Sequence, residues 1–175
     1  PEDILSFLPT DLTGKVIGVP WKFLEGLKGS IKENFLQSIQ LLEKLGAKIQ
    51  EVDLDLLKHS IAVYYIIATA EASTNLSRFD GIRYGKRAEK AQSIEEVNQL
   101  SRNEGFGREV KKRILLGSFV LSSGHQDAFY HKAQKIRYLS SEAFNEAYET
   151  CDLIAMPTSP VTAFELGSFQ DPFDM

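Results

Sequence analysis

Lys15-Val16-Ile17-Gly18-Val19-Pro20, the helical stretch that Ser30 opens and Gly46 closes, and Lys48-Ile49-Gln50-Glu51-Val52 together decide the fold. Lys15–Val19 reads as a buried strand, stopped by a proline that cannot donate to a ladder. Ile31, Phe35, Ile39, Leu42 and Leu45 then recur at helical spacing, which predicts one apolar stripe along a helix. Ser30 with Glu33 three residues on forms a capping-box pattern at its start, and Gly46 marks its end. Lys48–Val52 reads as a second short strand. Strand, helix and strand in such a short span make a βαβ unit, with parallel pairing and a right-handed crossover.

Outward from this unit the chain turns helical. Residues 1–13 read as an entry segment with a short helical turn at Asp3–Leu8. Leu57, Ile61, Tyr64, Tyr65, Ala68, Ala72 and Leu76 predict a long helix with one face on the core. Phe79 to Gln92 is polar and reads as a loop. Ser93 and Glu96 repeat the capping-box pattern ahead of Ile94, Val97 and Leu100. Val110, Ile114, Gly117 and Leu121 share a face of the next helix, which Gly124 breaks. Asp127 is placed to cap a helix running to about Thr150. Asp152–Met156 reads as a third strand ended by Pro157, and the tail from Thr158 as a loop. The expected class is therefore α/β, a single domain over 1–175 with a helical excursion between strands two and three. There is no internal repeat, low-complexity tract or linker.

At 175 residues with 43% hydrophobic and 25% charged content, the chain has enough material for a real core. Its formal net charge of −4 argues against a dedicated nucleic-acid surface. Cys151 is the single cysteine, so an intrachain disulfide is excluded and a reducing, cytoplasmic setting is expected. Glu2 and Asp3 are acidic where a signal peptide needs a basic region. The longest nearly apolar run, Ile61 to Ala70, falls short of the ~20 residues that span a bilayer, so no membrane partner is expected. The opening at Pro1 and the stretch to Met175 without a closing element read as cut ends of a longer chain.

The stretch with most chemical content is S-R-N-E-G-F-G-R-E-V-K-K-R-I-L-L-G, Ser101 to Gly117. Its Gly105-Phe106-Gly107 predicts a corner between two helices, made by glycines at positive φ. The cations Arg108, Lys111, Lys112 and Arg113 follow. A guanidinium on that second helix is suited to both oxygens of a carboxylate, which makes Arg113 a candidate anion-binding residue; its alternative role is a solvated charge on a basic face. Tyr64 can offer a hydroxyl to a polar ligand or can serve as a core tyrosine on its apolar stripe.

Asp80, Arg83 and Tyr84 sit in the polar loop, where binding residues and plain surface charges both occur. Ser122-Ser123-Gly124 lacks the surroundings a nucleophilic serine needs and reads as a helix end. His59, His125 and His131 are too scattered for a metal site, and no phosphate-binding glycine loop follows a strand. Pro157-Thr158-Ser159-Pro160 follows a predicted strand, so Thr158 and Ser159 either face a ligand or form a rigid turn.

Taken together, several segments resemble one family. They are Ala70-Glu71-Ala72-Ser73, Asn75-Leu76, Arg78-Phe79-Asp80-Gly81, Arg83-Tyr84-Gly85, the block 101–117, Lys132-Ala133-Gln134-Lys135 with Arg137, P-T-S-P, and Ala163-Phe164. The combination is similar to the amidase signature family, in its tRNA-dependent amidotransferase branch (the A-type subunits), from about Gly14 to Met175. The resemblance implies part of that fold, a mixed sheet flanked by helices. It also implies a glutamine-hydrolysing role in converting Glu-tRNA(Gln) to Gln-tRNA(Gln). B-type and C-type subunits would be partners, with tRNA, ATP and magnesium handled by the B-type one and no cofactor in this chain.

The family's Gly-Gly-Ser-Ser-Gly-Gly signature, which carries the catalytic serines, is absent, and so is any match to the triad lysine. No position inherits a catalytic role, and the chain alone is expected to be inactive. The resemblance assigns substrate binding to Arg113, at the glutamine carboxylate, and to Tyr64 or its neighbour Tyr65. It places the aspartate for the glutamine ammonium just past Met175. His125-Gln126 departs from the two tyrosines usual there. The alternative readings are another amidase-signature carboxamide hydrolase and a non-catalytic helical interaction module.

Overall fold

A computed structural model describes residues 11–168. The expected turn at Asp3–Leu8 and the last seven residues lie outside them. The chain forms two compact units, one from the residues up to Asp55 together with those from Glu142, the other from Leu56–Ser141.

The first unit contains the predicted βαβ. Strand β1 is Val16–Val19, helix α1 is Gly29–Lys44 and strand β2 is Lys48–Glu51. The third strand is shorter than the sequence suggests: β3 is Leu153–Ile154. The described sheet has the order β2-β1-β3. Both pairings are parallel, with Ile17 opposite Ile49 on one side and opposite Leu153 on the other. The central strand is the buried one, as the apolar Val16–Val19 run requires. Val19, Leu27, Phe35 and Ile39 form the core, with Trp21 edge-on to Phe35 at 6.0 Å between centroids.

The α1 stripe faces this core as predicted, except that Leu45 is exposed. Its capping box does not form: α1 begins at Gly29, and its N-cap, Lys28, gives no side-chain cap. Asp152 ties β3 to the central strand. Its carboxylate accepts from the Val16 N–H at 2.8 Å and from Lys15 Nζ at 3.1 Å. The Val16 N–H and then the Lys15 ammonium hold its carboxyl below the usual range.

The second unit is helical: α2 (Ser60–Leu76), α3 (Ile94–Gly105), α4 (Arg108–Val120), and the start of α5 (Lys132–Tyr148). The second capping box closes on one side as expected. Ser93 Oγ accepts from the Glu96 N–H at 3.2 Å, while the Glu96 carboxylate reaches Gln92 N at 2.7 Å instead of Ser93. Val97 is buried, but Ile94 is exposed. The predicted positive-φ corner is not there. Gly105 is the last residue of α3, Phe106 is extended at φ −102°, and Gly107 caps α4 at φ −64°. The turn is made by extended backbone at Phe106, whose ring lies under the Arg102 guanidinium at 5.0 Å. Asp127 is not an N-cap either, because a single π turn over Asp127–His131 leads into α5.

The main pairing of this unit is α2 against α4. The predicted face of α4 holds, with Gly117 buried and Val110, Ile114 and Leu121 partly buried. The predicted face of α2 does not. Ile61, Tyr64 and Tyr65 are exposed, while Ile67, Thr69 and Ala70 are buried. The sequence of α2 from Ile61 to Ala72 is apolar on nearly every side, so periodicity cannot choose its inner face. Close approach chooses it. Thr69 and Ser73 lie against Gly117, and Ser73 Oγ meets Ser118 Oγ at 2.9 Å. A Cβ on Gly117 would overlap the Thr69 carbonyl oxygen.

The polar loop after α2 is tightly organised. Asp80 is buried, and its Oδ1 accepts from the N–H groups of Ile82 and Arg83, both at 2.9 Å. Its Oδ2 accepts from Arg83 Nε at 3.0 Å. These bonds, the two backbone ones first, hold the Asp80 carboxyl far below the usual range against the opposing effect of burial. Arg102, on α3, donates to the carbonyls of Leu76 at 2.8 Å and Phe79 at 3.2 Å. It thereby satisfies the carbonyl of Leu76, the last residue of α2, and ties down the Phe79 carbonyl just beyond the helix.

Both depressed carboxyls have the same consequence for acid stability. A group whose folded pKa is lowered stabilises the fold above its unfolded value of ~4 and stops doing so as pH falls through the folded value. The Asp80→Asn variant is therefore expected to melt below the parent chain at pH 7, with the gap closing below about pH 4. Melting temperatures at a series of pH values measure this; a gap that stays constant with pH overturns it.

Candidate functional site

The α2–α4 crossing brings Tyr64 and Arg113 together. Tyr64 lies five residues before Thr69 on α2, and Arg113 lies four residues before Gly117 on α4. Both precede the point where the two helices touch, at Thr69 and Gly117. Two side chains act on the Arg113 guanidinium: Glu109 first, through a hydrogen bond, and the Tyr64 side chain second. Both raise its pKa above the ordinary arginine value, so it is a permanent cation. Its Nε donates to Glu109 Oε1 at 3.1 Å, and its side chain is 40% exposed.

Tyr64 is 55% exposed and edge-on to Tyr65, with centroids 5.5 Å apart. The core-tyrosine alternative fails for it. Between the two candidate tyrosines, Tyr64 is the one whose side chain acts on the Arg113 guanidinium. Tyr64 lines a groove of about 350 Å³, walled by Leu57, Val63 and Ile67 and carrying the charges of Glu71 and Arg137. The segment 56–141 carries fourteen Lys and Arg against eight Asp and Glu. This excess favours an anionic ligand in the unit that holds Arg113, although the whole chain is acidic.

The remaining candidates separate clearly. Asp80 and Arg83 are engaged with each other inside their loop, whereas the Tyr84 ring is exposed beside Phe79. Ser122 Oγ donates to the Phe119 carbonyl at 2.6 Å and lies 3.2 Å from His125 Nδ1, which makes it part of the turn that closes α4. Thr158 and Ser159 line a groove of about 540 Å³ in the first unit, beyond the carboxyl end of β3 and beside Phe35 and Ile39. Ser159 Oγ also donates to the Val161 carbonyl at 2.8 Å, as a turn residue does. Among the described residues, no three His, Cys, Asp or Glu side chains converge as metal ligands, and no helix is long and apolar enough to cross a membrane. Sequence reading missed Glu109 and Arg102. The i,i+4 spacing of Glu109 and Arg113 was the available signal for the first, but Arg102 has no comparable local signature.

Comparison with known proteins places the chain among its relatives. The A-type subunit of the glutamyl-tRNA(Gln) amidotransferase from Protochlamydia amoebophila is 58% identical over 175 residues. The alignment covers 100% of this chain and 36% of that protein. The protein of the same name from Halothermothrix orenii is 45% identical over 99% of this chain and 37% of its own length. Among solved structures, the A-type subunit of the Thermotoga maritima glutamyl-tRNA(Gln) amidotransferase superposes with a TM-score of 0.63 at 36% identity, covering 94% of this chain and 31% of that one. A structure described as an amidase superposes with a TM-score of 0.64 at 25% identity, over 90% and 31% of the two chains. The chain thus spans about a third of the length of these relatives. The Amidase family profile matches residues 1–175, and this α/β chain of parallel strands and crossed helices belongs to that family.

Proposed function

We propose that these residues form the glutamine-holding part of the A-type subunit of a tRNA-dependent amidotransferase. The observation that carries this reading is the juxtaposition of a permanent cation, Arg113, with the Tyr64 side chain on an exposed face. In this reading the guanidinium pairs with both oxygens of the glutamine α-carboxylate, and the Tyr64 hydroxyl bonds to the same ligand. The amide to be cleaved is then presented to groups supplied by sequence outside these 175 residues. In the family the sequence resembles, those groups are a serine nucleophile, a second serine and a lysine, and no Gly-Gly-Ser-Ser-Gly-Gly segment occurs here. The ammonia released serves a B-type partner, where ATP and magnesium activate Glu-tRNA(Gln), and a small C-type partner steadies the complex. The close relatives named as A-type subunits of glutamyl-tRNA(Gln) amidotransferases support this assignment. A carboxamide hydrolase without a tRNA partner has less use for a cation aimed at an α-carboxylate.

The test is glutaminase kinetics of the complete protein that carries this sequence, assembled with its partners. Arg113→Ala is expected to raise the KM for glutamine by roughly tenfold or more, since it deletes charge-assisted hydrogen bonds to the ligand. The same assay on the 175-residue chain alone is expected to show no turnover. An unchanged KM in the variant, or real turnover by the chain alone, refutes the reading.

A further inference from the structure

Beside Arg113 lies a carboxylate to which the proposed function gives no role. Glu109 sits one helical turn earlier on α4, and its Oε1 accepts from Arg113 Nε at 3.1 Å. The pairing selects an edge of the guanidinium. A carboxylate can engage that fork in two ways, along the side made by Nε and one terminal nitrogen or across the end made by the two terminal nitrogens. Glu109 occupies the Nε side, which leaves the end-on fork for an incoming ligand. The Tyr64 side chain, on a different helix, is the second group acting on the same guanidinium. An arginine side chain free in water loses rotamer entropy when it orders around a ligand. Here part of that ordering is already done before the ligand arrives.

We propose that Glu109 is a positioning residue for the substrate carboxylate: through the Nε of Arg113 it turns the guanidinium so that its two terminal nitrogens face the ligand end-on. This inference rests on the reading of Arg113 as the glutamine carboxylate partner. It requires geometry from Glu109 and not its charge, since a second carboxylate beside the site would on charge alone repel an anionic ligand.

Glutaminase kinetics of the complete protein, assembled with its partners, separate these effects. Glu109→Ala is expected to raise the KM for glutamine about three- to tenfold, the range of one hydrogen bond, with kcat within about twofold of the parent. Glu109→Gln keeps an acceptor oxygen for Nε and removes the charge, and it is expected to return KM to within about twofold of the parent. A KM that is unchanged or lowered in Glu109→Ala overturns the proposal, as does Glu109→Gln behaving like Glu109→Ala. A fall in kcat at constant KM in Glu109→Ala, the mark of lost folded enzyme, also overturns it. Failure of the positioning role is distinct from failure of the glutamine reading. If Arg113→Ala leaves KM unchanged, the glutamine reading falls; if Arg113→Ala raises KM and Glu109→Ala does not, only the positioning role falls.

Discussion

Gly117→Val is expected to lower the stability of the chain by about 3 kcal/mol, near the upper end for overpacking a closely packed position. The reason is what the new side chain would meet. A Cβ at Gly117 overlaps the carbonyl oxygen of Thr69 and comes within 2.7 Å of Ser73 Cβ. The first of these is backbone in the middle of α2, so no rotamer change relieves the clash, and α2 and α4 must move apart. Valine's better helix propensity returns only a few tenths of a kcal/mol. For a unit of this size the loss corresponds to a fall of roughly 10–20 °C in melting temperature. Gly105→Ala is the matched control. Nothing lies within 4 Å of its built Cβ and its φ is not positive, so a change within about 1 kcal/mol is expected. Thermal unfolding followed by circular dichroism compares the two, and equal melting points for Gly117→Val and the parent would show that the helices are not in contact at Gly117.

Gly81→Ala is expected to produce the second large loss, about 2–4 kcal/mol, through two separate causes. Gly81 has φ +74°, in the left-handed region that costs an alanine about 1 kcal/mol or more. A Cβ there also overlaps the Ser101 hydroxyl and comes within 2.6 Å of Ser101 Cβ. Ser101 is buried and uses that hydroxyl to accept from the Ala88 N–H at 2.9 Å. Displacing it releases the far end of the loop as well as the near end. Partial proteolysis reads the effect directly, since cleavage between residues 79 and 92 should accelerate strongly in the variant. A double-mutant cycle with Ser101→Gly separates the causes, since Ser101→Gly alone carries the loss of the Ala88 bond and of helix propensity. Gly81→Ala should cost less in the Ser101→Gly background than in the parent chain, by the steric part. An equal cost in both backgrounds would mean that the overlap with Ser101 contributes nothing.

Where the sequence was legible, one physical signal dominated. The βαβ unit combines an apolar strand, a clean helical stripe and a proline stop, and all three agree, so β1, α1 and β2 fall within a residue or so of the expected bounds. The α2 face was illegible because its apolar residues surround the helix. What decides its inner side is the fit of Thr69 and Ser73 to a glycine some forty-five residues later, and period analysis carries no such information. The Gly-Phe-Gly corner misled for a related reason. Glycine permits positive φ without requiring it, and extended Phe106 turns the chain on its own. For the candidate site, Arg113 and Tyr64 could be nominated from resemblance, and the Ser101–Gly117 block supplied the arginine. That Tyr64 stands outside the core and reaches the guanidinium depends on the helix crossing. Asp80 was marked as a loop charge, and its role as the buried organiser of that loop emerges only from which N–H groups point at it.

The contact between Thr69 and Gly117 also bears on how this site tolerates change. The closest approach there is main chain on main chain, the Thr69 carbonyl over Gly117, with the small Ser73 and Ser118 side chains beside it. The separation of Tyr64 from Arg113 is therefore inherited from backbone atoms, which every substitution on the outer faces of α2 and α4 leaves in place. Exposed positions such as Leu115, Lys112 and Ile61 can diversify without detuning the Tyr64–Arg113 pair. A single methyl group added at the crossing displaces both at once. The geometry of that pair is in this sense insured against drift nearly everywhere along the two helices and exposed to it at one glycine.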